Sequence, residues 1–250
     1  LSSYFGNDVI NAAASADSSG LDAGINSRLG NFTITARWNH IYKNNKLFHN
    51  LTVIRSQFRY RIEGNALGNQ ILIRSAINDL GVKLDYNYHY DNRTTVRFGG
   101  AVTNHIFRPN LISTQGEISD FLKDKPAKQI NNQEMALYGA MDRDLWTRWK
   151  MTGGLRLSGS AVQGVLYTGL EPRFSARYSI DERQSVKFGY ARMMQYLHLV
   201  SSSSVALPTD LWYPVTEKIG PGASDQVSAG YFTYVGHETK VELSGEVYYK

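Results

Sequence analysis

Residues 81–98, GVKLDYNYHYDNRTTVRF, decide the fold. From Val82 the chain alternates: Val82, Leu84, Tyr86, Tyr88 and Tyr90 on one parity, Lys83, Asp85, Asn87 and His89 on the other. Side chains of a strand point to opposite faces with period 2, so this is a ribbon with one apolar and one polar face. Asp91-Asn92 follows, a pair suited to a tight hairpin turn. Alternation then resumes, Val96, Phe98, Gly100 and Val102 against Arg97 and Thr103. The predicted unit is a long antiparallel hairpin whose apolar face ends in tyrosines just before a short turn.

The same unit recurs along the chain. Phe32, Ile34, Ala36 and Trp38 alternate with Thr33, Thr35, Arg37 and Asn39 before a turn at 43–46. On the return, Ile54, Phe58, Tyr60 and Ile62 oppose Arg55, Gln57, Arg59 and Arg61. Pro172, Phe174, Ala176 and Tyr178 precede another turn at 181–183, and Val186, Phe188 and Tyr190 lead away from it. Residues 7–20, 64–70, 110–132, 164–169 and 198–223 read as loops, with a short amphipathic helix expected at 117–128 around Ile118, Phe121 and Leu122. About eleven strands result, joined alternately by short turns and long loops. In an up-and-down antiparallel sheet that alternation gathers the short turns at one end and the long loops at the other. Such asymmetry is the pattern of an outer-membrane barrel, with periplasmic turns and extracellular loops.

Composition bounds this reading. The 250 residues carry 27 Lys and Arg against 22 Asp and Glu, a net charge of +5 with a pI near 9.2, and mean hydropathy is −0.35. The basic residues are scattered, about one per strand, rather than clustered as a nucleic-acid surface requires. No apolar run is long enough for a transmembrane helix, but barrel strands carry polar residues at every second position. Cysteine is absent, which removes disulfides and thiolate sites within this stretch. LSSYFGNDVI has neither the basic start nor the apolar core of a signal peptide, so the sequence is expected to begin after a processed leader or inside a longer chain.

A soluble sandwich would alternate too. Beyond the loop asymmetry, two features favour the membrane. Trp38, Tyr90, Trp149, Tyr178 and Tyr234 all stand within a few residues of a short turn, the height of an interfacial aromatic girdle. Arginines on a lipid-facing surface would cost about 2–4 kcal/mol each near mid-bilayer, so Arg55, Arg59, Arg97, Arg173 and Arg177 are expected to line a wet lumen. By the same logic Ile54, Phe58, Leu84 and Phe174 are expected to face acyl chains. If about eleven strands are half of a closed sheet, the whole is of the roughly 22-stranded class that holds a plug.

The chain resembles a TonB-dependent outer-membrane receptor of the kind common in Bacteroidetes. The resemblance rests on Glu171-Pro172-Arg173, on Gln195-Tyr196-Leu197-His198-Leu199 and on Leu207-Pro208-Thr209-Asp210-Leu211-Trp212-Tyr213-Pro214. Ser224-Asp225-Gln226, Glu246-Val247-Tyr248-Tyr249-Lys250, Tyr4-Phe5-Gly6-Asn7-Asp8 and Arg37-Trp38-Asn39-His40 extend it. It implies an all-β transmembrane barrel in the outer membrane of a Gram-negative cell, with residues 1–250 a partial barrel lacking the plug and the last strands. The implied activity is binding of a scarce nutrient on the extracellular side and import to the periplasm, driven by the TonB–ExbB–ExbD complex acting on the plug. A surface lipoprotein or another outer-membrane subunit is a further implied partner. A passive porin, or a barrel with a structural or secretion role, is the alternative.

Within this frame Tyr196, His198, Asp210 and Trp212 are the candidate ligand residues, a flat aromatic surface beside hydrogen-bonding groups. The six histidines show no metal-ligand spacing, and no nucleophile, base and acid stand in catalytic motif context. Neither an enzyme activity nor a cofactor is expected.

Overall fold

The computed structural model describes residues 1–16, 21–43, 45–66, 68–115, 128–200, 211–236 and 241–250. Among these, thirteen strands form: β1 (Ser2–Ala16), β2 (Leu21–Ile41), β3 (Leu47–Ala66), β4 (Asn69–Asp91), β5 (Thr94–Gln115), β6 (Ile130–Leu145), β7 (Trp149–Val162), β8 (Val165–Ser179), β9 (Gln184–Gln195), β10 (Leu197–Val200), β11 (Leu211–Pro214), β12 (Gly222–Val235) and β13 (Val241–Tyr249). Eleven of them make one antiparallel up-and-down sheet in chain order, with β1 and β13 at its open edges. β10 and β11 pair separately as a small ribbon.

Register divides the large sheet into two faces, because directly paired residues share a side. One row runs Ala36, Val53, Val82, Val102, Met135 across β2 to β6. Its neighbour runs Trp38, Leu51, Leu84, Gly100, Leu137, Leu157, Leu170 across β2 to β8. Phe174, Tyr190 and Val227 continue the same face across β8, β9 and β12. These large apolar side chains are exposed, Leu137 at 67% and Val102 at 54%. A continuous exposed apolar belt of this extent faces lipid, not water. The opposite face carries Lys83, Thr103, Glu134, Ser160 and Arg173 and is far more polar.

The polar face is the concave one. Trp212 lines two clefts whose walls include Asn31 of β2 and Met193 of β9. At about 4.8 Å per strand, β2 and β9 of a flat sheet would lie roughly 34 Å apart. One indole reaches both walls only if the sheet curls around it. The polar face therefore surrounds a lumen.

The aromatic girdle is present at the short-turn end. Trp38 and Tyr90 are exposed on the belt face, Trp149 and Tyr178 meet with ring centroids 4.8 Å apart, and Trp38 packs edge-on to His49 at 4.8 Å. Tyr234 falls on the other parity, paired with Glu242.

Four expectations change. Arg55 and Arg59 lie on the convex face, not the lumenal one: Arg55 pairs with Ile34 and Leu80, Arg59 with Gly30 and Ala76. Ile54 and Phe58 correspondingly point inward, whereas Leu84 and Phe174 keep the belt face. Strand length is the reason. β3 has 20 residues, which at about 3.3 Å each and a tilt near 45° rise about 47 Å, against a belt of about 25 Å. Only its first half crosses lipid, and there the convex residues are Leu47, His49, Leu51 and Val53. Beyond Val53 the convex face leaves the hydrocarbon, and its polarity inverts to Arg55, Gln57, Arg59 and Arg61.

Second, residues 7–16 belong to β1 instead of a loop, paired with β2 through Ala16↔Leu21. Third, the connections near 67 and 165 are tight, with Gly68 at φ 74°, Gln163 at φ 50° and Gly164 at φ 87°. Polar protruding strands, solvated outside the bilayer, have no need of apolar alternation, so their sequence reads as loop. Fourth, residues 198–223 are not wholly irregular, since β10, β11 and the start of β12 lie there. The helix expected at 117–128 lies, apart from Lys128, outside the described residues.

Placing an arginine at Leu84 is expected to lower unfolding free energy by about 2–4 kcal/mol, while Lys83→Arg on the other face changes it by less than about 0.5 kcal/mol. Urea titration of the whole protein folded into thin phospholipid vesicles measures both.

Candidate functional site

The concave face is organised by a strap. After β9 the chain folds inward, and β10 pairs with β11 from Leu197↔Pro214 to Val200↔Leu211. Tyr196 and Val215 enter a buried cluster with Phe107, Ile130 and Val162. Val215 N donates to Tyr196 O at 2.9 Å and closes the base of the strap, and two hydrogen bonds tie it to the wall: Tyr167 Oη donates to Thr216 O at 2.8 Å, and Ser158 Oγ shares a 2.9 Å bond with Tyr196 Oη. Tyr196 lies outside any spanning strand, and burial pushes its phenol above the ordinary value, so it remains a neutral hydroxyl.

Two clefts lie beside the strap. The larger, about 450 Å³, is lined by Glu134, Arg156, Glu171, Arg173, Tyr196 and Trp212. The smaller, about 330 Å³, has Phe58, Asp79, His105, Phe107, Leu197 and Trp212. Both fall within or near the size range of small-ligand sites and mix apolar walls with a few polar groups. Trp212 belongs to both and is 44% exposed.

The walls carry an ordered charge ladder. Glu171 is 4% exposed and lies between two arginines, with Arg156 Nε at 3.5 Å and Arg173 Nη2 at 3.4 Å. His105 Nδ1 lies 2.7 Å from Asp79, and its Nε2 is 3.8 Å from Glu134. Nearer the short turns, Tyr138 donates to Asp85, and Lys83 and Arg156 stand 5.8 and 5.9 Å from the Tyr138 ring centroid. Gly99 makes room for that tyrosine: a Cβ there would sit 2.3 Å from the Leu84 carbonyl and 2.7 Å from Tyr138 Oη. Arg97 meets Asp142 at 2.9 Å, and Thr152 Oγ1 donates to the same carboxylate at 2.6 Å. An arrangement of paired charges around an open aromatic can hold a polar or chelated guest.

The sequence candidates divide accordingly. Trp212 and Tyr196 meet in the larger cleft, though Tyr196 is mostly engaged in packing. His198 is half-buried, its Nε2 3.1 Å from Gly220 O within the strap itself. Asp210 lies outside the described residues. Arg97, Arg173 and Arg177 share the concave face, with Arg177 opposite Lys150 and Lys187 nearer the short turns. Arg55 and Arg59 do not join them. Sequence reading missed Glu134, Arg156 and Glu171 as site residues on three consecutive strands; Arg156 pairs directly with Glu171, and Glu134, opposite Ser160, joins them in the same cleft wall, a grouping visible only with the register.

No known family profile matches the chain, and no curated protein sequence does either. Solved structures do. The copper transporter OprC superposes with a TM-score of 0.70 at 12% identity, over 98% of this chain and 45% of that one. The ferric yersiniabactin uptake receptor FyuA from Yersinia pestis gives 0.58 at 12% identity, over 91% and 36%. The FrpB iron transporter from Neisseria meningitidis gives 0.51 at 10% identity, over 98% and 52%. These likenesses show the fold: the chain is built as part of a multi-pass outer-membrane β-barrel. It spans about half, or less, of the length of those chains.

Tyr196→Phe removes the bond to Ser158 and is expected to weaken strap docking by about 0.5–1.5 kcal/mol. Amide exchange at 197–200 and 211–214 then becomes several-fold faster while β6 and β7 stay protected, as measured by hydrogen–deuterium exchange mass spectrometry.

Proposed function

We infer that residues 1–250 are part of the barrel of a TonB-dependent outer-membrane receptor, which captures a scarce nutrient from outside and imports it to the periplasm. The observation that carries this is the strap of β10 and β11 lying across the concave wall, with Trp212 between two clefts. The strap sets an open aromatic between two small clefts, the mix of apolar wall and few polar groups that a ligand site needs. The open edges support a larger closed barrel: β13 is exposed at every residue and β1 at nearly all of those whose side chains are described. About eleven more strands would bring it to the roughly 22-stranded class that encloses a plug.

The concave residues Arg97, Arg173 and Arg177 face the position of such a plug, which couples to TonB, ExbB and ExbD. Tyr196, His198 and Trp212 form the strap side of the ligand site, with Tyr196 holding the strap and Trp212 offering the contact surface; Asp210 stays a ligand candidate on its sequence alone. OprC is a copper transporter, FyuA a ferric yersiniabactin uptake receptor and FrpB an iron transporter. A metal or a metal chelate is therefore the first ligand class to test. The Bacteroidetes kinship and a surface-lipoprotein partner rest on the motif resemblance alone.

The test uses the whole gene in outer-membrane vesicle-competent cells, supplied in turn with radiolabelled copper(II) and a panel of ferric siderophores. One of them is taken up, and uptake stops with a protonophore or in cells lacking TonB. A passive porin would continue to admit the solute in both conditions. Trp212→Ala is expected to weaken that uptake affinity about tenfold while leaving barrel assembly intact. A sequence upstream of Leu1 with no plug-like domain would also contradict the reading.

A further inference from the structure

The smaller cleft beside the strap is built from two rows of the concave face. Register sets Asn31, Phe58, Ile77 and Phe107 side by side across β2 to β5, an apolar row that begins with one amide. The next row toward the belt brings Ser56, Asp79 and His105 together on β3, β4 and β5. Leu197 and Trp212 of the strap complete the lining. The result is a hollow of about 330 Å³ with three aromatic walls, Phe58, Phe107 and Trp212, and, among the described residues, a single carboxylate, Asp79.

The charge of this hollow is unbalanced. Among the described residues no lysine or arginine lines it, whereas Arg156 and Arg173 line the larger cleft that shares Trp212. Asp79 Oδ1 lies 2.7 Å from His105 Nδ1, and among the described residues nothing bonds its other oxygen. His105 does not cancel the charge. Its Nε2 faces a second carboxylate, Glu134, at 3.8 Å, so a charged imidazole is shared between two acids and a neutral one balances neither. The nearby cations are engaged elsewhere, Arg156 at 3.5 Å from Glu171 and Lys83 at 3.0 Å from Asp85. A carboxylate held among aromatic rings is costly to desolvate unless a cation meets it, and aromatic faces attract the same cation. A neutral apolar guest would leave Asp79 unpaired, and an anionic one would be repelled.

We propose that the smaller cleft binds the ammonium group of an organic cation with a compact apolar body, Asp79 supplying the counter-charge and Phe58, Phe107 and Trp212 the walls. His105 is a positioning residue: its bond to Oδ1 fixes the carboxylate and leaves Oδ2 for the guest. The proposal rests on the reading of the strap clefts as a guest site and adds the chemical class that the smaller one selects. A larger guest can place an ammonium-bearing arm here and an anionic part beside Arg156 and Arg173, across Trp212.

The test is isothermal titration calorimetry of the full-length protein in a neutral detergent, with protein-free micelles as the blank, at neutral pH where an alkylamine is charged. The probes are phenethylammonium, phenethyl alcohol and hydrocinnamate, which share one apolar body and differ in charge. Phenethylammonium is expected to bind at least about tenfold more tightly than the alcohol, and hydrocinnamate more weakly than either. Asp79→Asn should lose about tenfold for the ammonium and change alcohol binding by less than about twofold, a split that a merely structural role of Asp79 would not produce. Trp212→Ala should weaken both probes several-fold, because the wall is common to them. Heat-modifiable electrophoretic mobility reports whether each variant is folded. If Asp79→Asn does not fold, the comparison of the three probes on wild type still decides, together with Asp79→Glu, which should keep the preference for the ammonium. The proposal is overturned by equal binding of ammonium and alcohol, by tighter binding of hydrocinnamate, or by unchanged ammonium binding in a folded Asp79→Asn variant. Copper(II) that displaces the ammonium from wild type and fails to bind Asp79→Asn would also overturn it, since the carboxylate would then serve a metal. Calorimetry needs no TonB, so the two readings fail separately. Ammonium binding without energised uptake contradicts import alone, and energised uptake with no preference for the ammonium contradicts this proposal alone.

Discussion

Hydrocarbon accepts neither an unpaired peptide group nor an unpaired charge, and this double prohibition shapes the whole sheet. The first half forces a continuous ladder: β1 to β9 and then β12 and β13 pair in sequence order, with register shifts only between β4 and β5, at Arg74/Ala76 and at His89/Asp91 beside the turn. The second half sorts the side chains. Where the strands cross lipid the convex rows are mainly apolar, with Val53, Val82, Val102, Leu84, Met135 and Phe174 among them, and Lys83, Glu134 and Arg173 turn to the other side. Above the crossing the prohibition lapses and the sorting relaxes with it. The inversion between Val53 and Arg55 on β3 is the clearest mark of that boundary, since no backbone irregularity in β3 accompanies it.

The lumen inherits its chemistry from the same sorting. Polar groups excluded from lipid by successive strands are brought side by side on the concave wall, so Glu134, Arg156 and Glu171 become neighbours without being near in sequence. Charges so assembled are costly to bury unless paired. Glu171 is satisfied by two arginines, and the strap seals part of the wall with an apolar cluster around Phe107 and Val215. What remains open is the surface around Trp212. Site and membrane anchor are thus two outcomes of one partition of residues between faces.

Much of the architecture was legible from alternation alone. The hairpin at 81–98, the girdle residues Trp38, Tyr90 and Tyr178, and the lipid-facing Leu84 and Phe174 follow from a period of two and a place near a short turn. The reading failed where one periodicity was extended along strands longer than the bilayer is thick. On β3 the apolar parity in lipid is Leu47, Leu51 and Val53, but Phe58 and Tyr60 above it belong to the lumen. Residues 7–16 failed for a related cause, since a solvated strand has the composition of a loop. The strap was legible as a functional stretch from Tyr196 and Trp212, yet its target wall was not, because cross-strand register is a property of the whole sheet. Glu171 stood in the Glu-Pro-Arg motif without any local sign that it would be buried.

The central claim concerns which face meets lipid, and β3 tests it most directly. Because this stretch contains no cysteine, single cysteines at Val53, Ile54, Phe58 and Arg59 of the full-length protein can each carry a nitroxide in a reconstituted bilayer. Collision with oxygen against collision with a water-soluble nickel chelate then reports the surroundings. The account predicts high oxygen and low nickel accessibility at Val53 alone, nickel accessibility at Arg59, and lumenal values at Ile54 and Phe58. Lipid-like values at Ile54 and Phe58, with Val53 in water, would contradict it.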